Sequence, residues 1–259
     1  MIPMKFVSGT IKLRVRGEPV EIALTIPQAP VHPQAMLPAL QKMTDAFVAH
    51  AVRQSESEGK FVTCKEGCWA CCRHLIPVSE TEAYYLAELV AAMPEPRRSE
   101  LQLRFRETIE ILKDADLLEP LRHPARPGNP SLHDLGMAFF ERNISCPFLE
   151  NHRCSIHAKR PLACREHLVS SPPQNCDHPT AESIEKLPMP ASVFGALINL
   201  SKSADTKAAP FVPLVLALEW ASQHPDRDTP RPGPQILTQI TENLSGKPVS
   251  RLLSQRSWR

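Results

Sequence analysis

Four thiols fall within nine residues at Cys64-Lys65-Glu66-Gly67-Cys68-Trp69-Ala70-Cys71-Cys72, and the other four, Cys146, Cys154, Cys164 and Cys176, lie in the stretch that follows. A buried free cysteine packs as a small hydrophobe and has no reason to cluster along a chain. Thiolates brought together repel one another and lose hydration, so a fold that gathers them needs a compensating cation or cluster. The first expectation is a metal centre drawing on Cys64, Cys68, Cys71, Cys72, Cys146, Cys154, Cys164 and Cys176, not every one of them necessarily a ligand.

Two local geometries bring the first four together. A helix would place them on one side, since they are separated by i+4, i+3 and i+4 steps. A tight turn at Gly67 would also converge them. Adjacent Cys71 and Cys72 should diverge, which suits two ions, two iron atoms, or one ligand beside a buried or redox-active thiol. A disulfide framework is the competing reading of eight cysteines. The segment Met1 to Val20 carries Lys5, Lys12, Arg14, Arg16 and Glu18 in an alternating pattern, without the apolar run of a signal peptide. A cytoplasmic location is expected, and in a reducing compartment clustered thiols more often bind metal or do redox chemistry.

The blocks Cys64-x3-Cys68-x2-Cys71-Cys72, Cys146-Pro147-Phe148-Leu149, Cys154-Ser155-Ile156-His157, Arg160-Pro161 and Cys164-Arg165 resemble the YkgJ-type cysteine-cluster family, whose domain is described as zinc- or iron-chelating. The resemblance covers Cys64 to Cys176. The chain departs from many members at the first pair, which is more often C-x2-C, and after Cys164-Arg165, where Glu166-His167-Leu168 replaces an aromatic-Pro step. The resemblance implies a metal-binding protein. Some relatives are flagellin lysine N-methylases, in which the cysteine domain is only part of the enzyme.

The residues rank the remaining functions. No two of the nine glycines form a G-x-G pair, so neither the usual glycine-rich nucleotide loop nor a P-loop is present. The later cysteine gaps are too long for a zinc ribbon, and Cys146-Pro147 is similar to the Cys-Pro step of ferredoxin motifs, which tilts the expectation from zinc towards an iron–sulfur cluster. Either is compatible with thiolate ligands. Behind a metal-binding protein stand an enzyme using that centre, for electron transfer or protein-lysine modification, and a metal-free thiol switch built on Cys71 with Cys72 or Cys68. Among His74, His152, His157, His167 and His178, His157 is the best placed to replace a cysteine. Arg160 and Arg165 would offset thiolate charge or bond nearby backbone.

The surrounding chain reads as mainly α: one compact helical domain, residues 1–259, around the cysteine cluster, with an N-terminal β-hairpin. The hairpin occupies 1–30, the cysteine region 60–180 and the C-terminal helices 190–245. Ile11, Leu13 and Val15, then Val20, Ile22, Leu24 and Ile26, alternate about Arg16-Gly17-Glu18-Pro19, and packing over a helix is the expected role of their apolar face. Met36, Leu40, Met43 and Phe47 mark a helix ending near Gly59, with the methionines in the core. Ser79-Glu80-Thr81-Glu82 is a capping box opening a helix that buries Leu86, Leu89, Val90 and Met93 until Pro94. Leu101, Phe105, Ile109 and Leu112 mark another, and Pro120 to Pro130 reads as a loop.

Beyond Cys176, helical spacing recurs at Val193 to Ile198, at Val212 to Trp220 and at Ile236 to Leu244. Ser222 to Pro234 reads as an exposed loop, and the end after Gly246 should fray. With a net charge of +2 and a pI near 8.1, no nucleic-acid or membrane partner is expected. A protein partner is left open. The most apolar stretch, Ala208 to Leu218, is short and broken by Pro210 and Pro213.

Overall fold

The computed structural model describes residues 5–65, 67–180, 182–201, 211–244 and 249–251. It is mainly helical, with one N-terminal strand pair. Strands β1 (Phe6–Val15) and β2 (Glu18–Pro27) are antiparallel, with Leu13 opposite Val20 and Ile11 opposite Ile22. Their two-residue turn, Arg16 and Gly17, has positive φ at both positions (49° and 90°), the twist that suits a tight hairpin. Alternate residues Leu13, Val15, Ile22, Leu24 and Ile26 are buried, so the hairpin packs its apolar face inward as its pattern implies.

The chain then passes through β3 (Pro30–Val31) and one 3-10 turn, Pro33–Met36, into α1 (Leu37–Ser57). Met36, Leu40, Met43 and Phe47 are fully buried against the hairpin. Such side chains contribute about 1.5–3 kcal/mol each on burial. After the first cysteine block come β4 (Pro77–Val78), α2 (Glu80–Ala91) and α3 (Arg97–Asp114). The capping box of α2 is formed: Glu82 N donates to Ser79 Oγ at 3.1 Å, and Ser79 N donates to Glu82 Oε2 at 2.9 Å. Leu86, Val90, Leu101, Phe105 and Leu112 are buried, while Leu89, Met93 and Ile109 are partly so.

Pro120 to Pro130 is not all loop. Pro120 lies inside α4 (Leu118–Arg122), where its missing N–H falls in the first turn and costs no intrahelical bond. The open segment starts at His123, and α5 (Leu132–Glu141) follows, capped by Ser131 Oγ accepting from Asp134 N at 3.1 Å. The second cysteine half carries β5 (Leu149–Glu150), β6 (Arg153–Cys154) and α6 (Leu162–Glu166), then α7 (Val193–Ser201).

Val212 to Trp220 is likewise not one helix. Val212 and Pro213 form β7, paired with β4 through Pro77 opposite Pro213. A 3-10 turn, Leu214–Leu216, then leads into α8 (Ala217–Gln223). Strand pairing wins here because the ring of Pro213 disfavours the helical region for the residue before it, so Val212 stays extended and pairs with Val78. The exposed loop ends in β8 (Arg231–Pro232), which pairs with β3. Helix α9 (Gly233–Leu244) buries Ile236, Leu237, Ile240 and Leu244, and β9 (Val249–Arg251) pairs with β1. The expectations for the start of Ala208 to Leu218 and for most of the end after Gly246 concern residues outside those described.

The core is divided. One cluster joins the hairpin, α1, α7 and α9; a second joins α2 and α3 with Phe148, Ile156 and Leu214; a third gathers α4 and α5. The cysteine blocks border these. A Cβ on Gly233 would stand 2.1 Å from the carbonyl oxygen of Pro27, which is backbone and cannot swing aside. Gly233→Ala is therefore expected to cost about 1–3 kcal/mol, the usual penalty of overpacking, measured by chemical denaturation.

Candidate metal centre

The first cysteine block is a turn, not an α-helix. Gly67 has φ of 86°, a left-handed conformation that glycine adopts without strain, and Cys68 N donates to Lys65 O at 3.0 Å. A single 3-10 turn, Ala70–Arg73, follows, with Cys72 N donating to Trp69 O at 2.8 Å. Cys71 and Cys72 both lie on this turn, and the neighbouring Cys72 thiol together with burial raises the Cys71 thiol above its ordinary range.

The two halves are tied by backbone. Cys146 N donates to Cys72 O at 2.8 Å, and Leu149 N donates to Cys146 O at 2.8 Å, leading the chain into β5. Strands β5 and β6 form a short hairpin whose turn residues, Asn151 and His152, have φ of 47° and 59°. Its register sets Cys154 opposite Leu149. Phe148 is buried edge-on against Phe105 with ring centroids 5.3 Å apart, which anchors this hairpin to α3. Arg160 and Pro161 then run extended into α6, which carries Cys164.

Two buried side chains fix α6. Glu82, 2 % exposed, uses its second carboxylate oxygen to accept from Leu162 N at 2.7 Å, so one residue caps both α2 and α6. Arg165 donates to Asp45 of α1 at 2.7 and 2.9 Å and to the carbonyls of Arg160 and Ala158 at 3.1 and 2.5 Å. Arg165 is thus a structural pin. The anchoring role of Glu82 was not visible in the sequence, where only its local capping pattern shows.

Cys64, Cys68, Cys71, Cys72, Cys146, Cys154 and Cys164, seven of the eight cysteines, line one cavity of about 310 Å³. That is far more than the ~10–15 Å³ that one water needs. Cys176 is the exception. It is buried behind the wall, 4 % exposed, packed with Ala70 and Val169 beside Cys64 and Cys68. Among the described residues, no three His, Cys, Asp or Glu side chains stand at the spacing of a ready-made single-ion site. The thiols ring a space instead of meeting at a point.

Electrostatics connect the ring. Burial pushes the Cys146 thiol up to about 12, with Cys154 and Cys71 adding to the rise. Burial also raises Cys164 well above the ordinary thiol range, and Cys176 to about 11. Cys71 is raised first by the neighbouring Cys72 thiol and then by burial. Proximity to Cys71 adds to the rise at Cys64, Cys146, Cys154, Cys164 and Cys176, which come from both halves. Arg160 pulls the opposite way at Cys64, Cys71 and Cys154. Among the described lining residues, Lys65, Arg153 and Arg160 bring positive charge and none is acidic.

The histidines separate clearly. His152 stacks on Trp69 at 4.8 Å in the exposed hairpin turn, and His178 is exposed. His74 places its Nε2 3.3 Å from the carbonyl of Cys176. His157 lines the cavity but is exposed, with its Nε2 against the Arg160 guanidinium. His167 also lines the cavity, and its Nε2 is buried without a hydrogen-bond partner among the described residues. Burial, with Lys186 and His74 nearby, lowers its pKa to about 4, so the ring is neutral at ordinary pH. The sequence did carry a sign of this in Cys164-x2-His167, the spacing that puts two side chains on one helical face.

Residues 63–185 match the family model described as "CxxCxxCC: Putative zinc- or iron-chelating domain", which bears out the resemblance drawn from the cysteine blocks. The match supports metal binding through the cysteines. No curated protein and no solved structure matches the chain. No helix among the described residues is long and apolar enough to cross a membrane.

Proposed function

We propose that the protein is a metal-binding protein whose cavity thiolates hold an iron–sulfur cluster in preference to a single zinc ion. The observation that carries this reading is the ring of seven thiols around about 310 Å³, without the ready-made convergence of a tetrahedral site. A polynuclear centre draws its ligands from around a volume, whereas one zinc ion needs four donors at a point. The donor set fits: thiolates suit iron–sulfur clusters, and Lys65, Arg153 and Arg160 offset the charge that they bring. Such a centre would supply electron-transfer or structural chemistry when bound. Around it, this chain's residues supply the ligands, exclude water through Ile76, Phe148, Ile156 and Leu214, and neutralise charge. A metal-free thiol switch draws less support, because the neighbouring Cys72 thiol and burial raise Cys71, its common member, and keep it protonated and slow to attack.

The test is anaerobic purification followed by an optical spectrum and analysis for iron, sulfide and zinc. A brown protein with matched iron and sulfide is expected; colourless protein carrying zinc replaces the cluster with an ion, and protein that takes up neither sinks chelation. Cys68→Ser and Cys154→Ser, one from each half, should lower metal content and melting temperature together. The bound centre stabilises by mass action and closes the long excursion between Cys72 and Cys146. Unchanged metal in both variants removes those positions from the ligand set, whatever their melting curves show.

A further inference from the structure

We infer that the centre has mixed ligation, with His167 Nε2 as its nitrogen donor beside the cysteine sulfurs. The inference rests on the chelation reading above and goes further, since neither that reading nor the family description includes a histidine. A buried imidazole nitrogen without a hydrogen-bond partner is uncommon in a folded protein and calls for an explanation. His167 Nε2 has no hydrogen-bond partner among the described residues, and its side chain forms part of the wall that seven cysteines share.

The backbone explains how it gets there. His167 is the residue that ends α6, and its N–H donates to Ala163 O at 3.1 Å, so the last turn fixes its direction. Cys164 lies three residues earlier, within α6, and the side chains of both residues line the cavity. Helix α6 itself is held by Glu82 at its start and by Arg165 to Asp45 at its middle. The imidazole is therefore placed by packing, as a pre-organised ligand requires.

The other histidines do not offer this. His74 already has its Nε2 at the Cys176 carbonyl, His157 has its Nε2 at the Arg160 guanidinium, and His152 and His178 lie outside the cavity wall. His74 sits edge-on against His167, ring centroids 6.1 Å apart at 67°. Imidazole suits both iron and zinc, so the assignment holds whichever metal is present. In an iron–sulfur cluster, exchange of thiolate for neutral imidazole removes negative charge and raises the reduction potential.

Metal K-edge X-ray absorption of the loaded protein reads the first shell directly, because a ligating imidazole adds a nitrogen distance and outer-shell scattering that sulfur lacks. Wild type and His157→Ala should both show the imidazole contribution. His167→Ala should lose it and bind metal at least about tenfold more weakly, the lower end of what even supporting residues cost. His167→Cys should keep metal with an all-sulfur shell. An all-sulfur shell in wild type, or an imidazole contribution that persists in His167→Ala, overturns the assignment while leaving chelation standing. Wild type that takes up no iron, sulfide or zinc on reconstitution overturns chelation itself, and the ligand assignment with it. The wild-type spectrum decides the matter even if a variant fails to fold.

Discussion

Glu82→Ala should lower stability by roughly 2–5 kcal/mol and strip the protein of metal at the same time. Glu82 is 2 % exposed, and its carboxylate accepts from Ser79 N at 2.9 Å, Ser79 Oγ at 3.0 Å and Leu162 N at 2.7 Å. Truncation leaves these buried donors without an acceptor. Each stranded donor costs about 1–3 kcal/mol, while removing a carboxyl group whose burial disfavours its charge returns part of that. The melting temperature should fall by about 5–15 °C.

Metal follows stability because Leu162 opens α6, and α6 carries Cys164 to the cavity wall. Ser79→Ala is the matched control. It breaks only the local cap, costs about 1 kcal/mol, and leaves the bond from Leu162 in place, so metal content should hold. If Ser79→Ala loses as much metal as Glu82→Ala, the long-range bond is not what positions Cys164. Glu82→Gln adds a second check: one amide oxygen cannot serve both Ser79 and Leu162, and its amide group meets donors where an acceptor is needed.

This case also shows what a one-dimensional reading reaches. Ser79-Glu80-Thr81-Glu82 announces a helix start because both partners of the box are three residues apart. The second bond of Glu82 spans 80 residues and leaves no mark in local spacing. The hairpin and the long helices were legible for the same reason as the box. Leu13, Val15, Ile22 and Leu24 alternate, and Met36, Leu40, Met43 and Phe47 recur at helical spacing, because each element buries one face. Two-residue strands have no period to detect. Val212 was therefore read as helical, although it pairs with Val78, and Pro120 was read as loop, although a proline fits a first helical turn.

The candidate site divides in the same way. Clustered cysteines foretell a shared neighbourhood, and the structure brings seven of the eight to one cavity. Sequence could not tell that Cys176 would stand behind the wall, because its place depends on Ala70 and Val169, which reach it from other segments. Nor could it choose His167 over His157. That difference comes from Arg160, which folds back onto His157, while the Nε2 of the half-buried His167 ring has no hydrogen-bond partner among the described residues.

Cys71 and Cys176 should therefore respond to the same substitution in opposite ways. Cys71 stands in the 3-10 turn at the junction of the two halves and lines the cavity with Cys64, Cys146, Cys154 and Cys164. Cys71→Ser removes the thiolate common to both sides, and most of the metal should be lost. A centre held at a hundred times its Kd stabilises by about 2.7 kcal/mol, so the melting temperature should drop by roughly 5–10 °C in the loaded protein and far less in the metal-free one. Cys176→Ser changes no cavity thiol. It buries a hydroxyl where a weakly polar sulfur had packed, which costs about 1–3 kcal/mol with or without metal, and metal content should stay near wild type. Comparing both variants in loaded and metal-free form separates ligand from packing. Equal metal loss in the two would place Cys176 among the ligands and refute the division of the eight thiols into seven on the wall and one behind it.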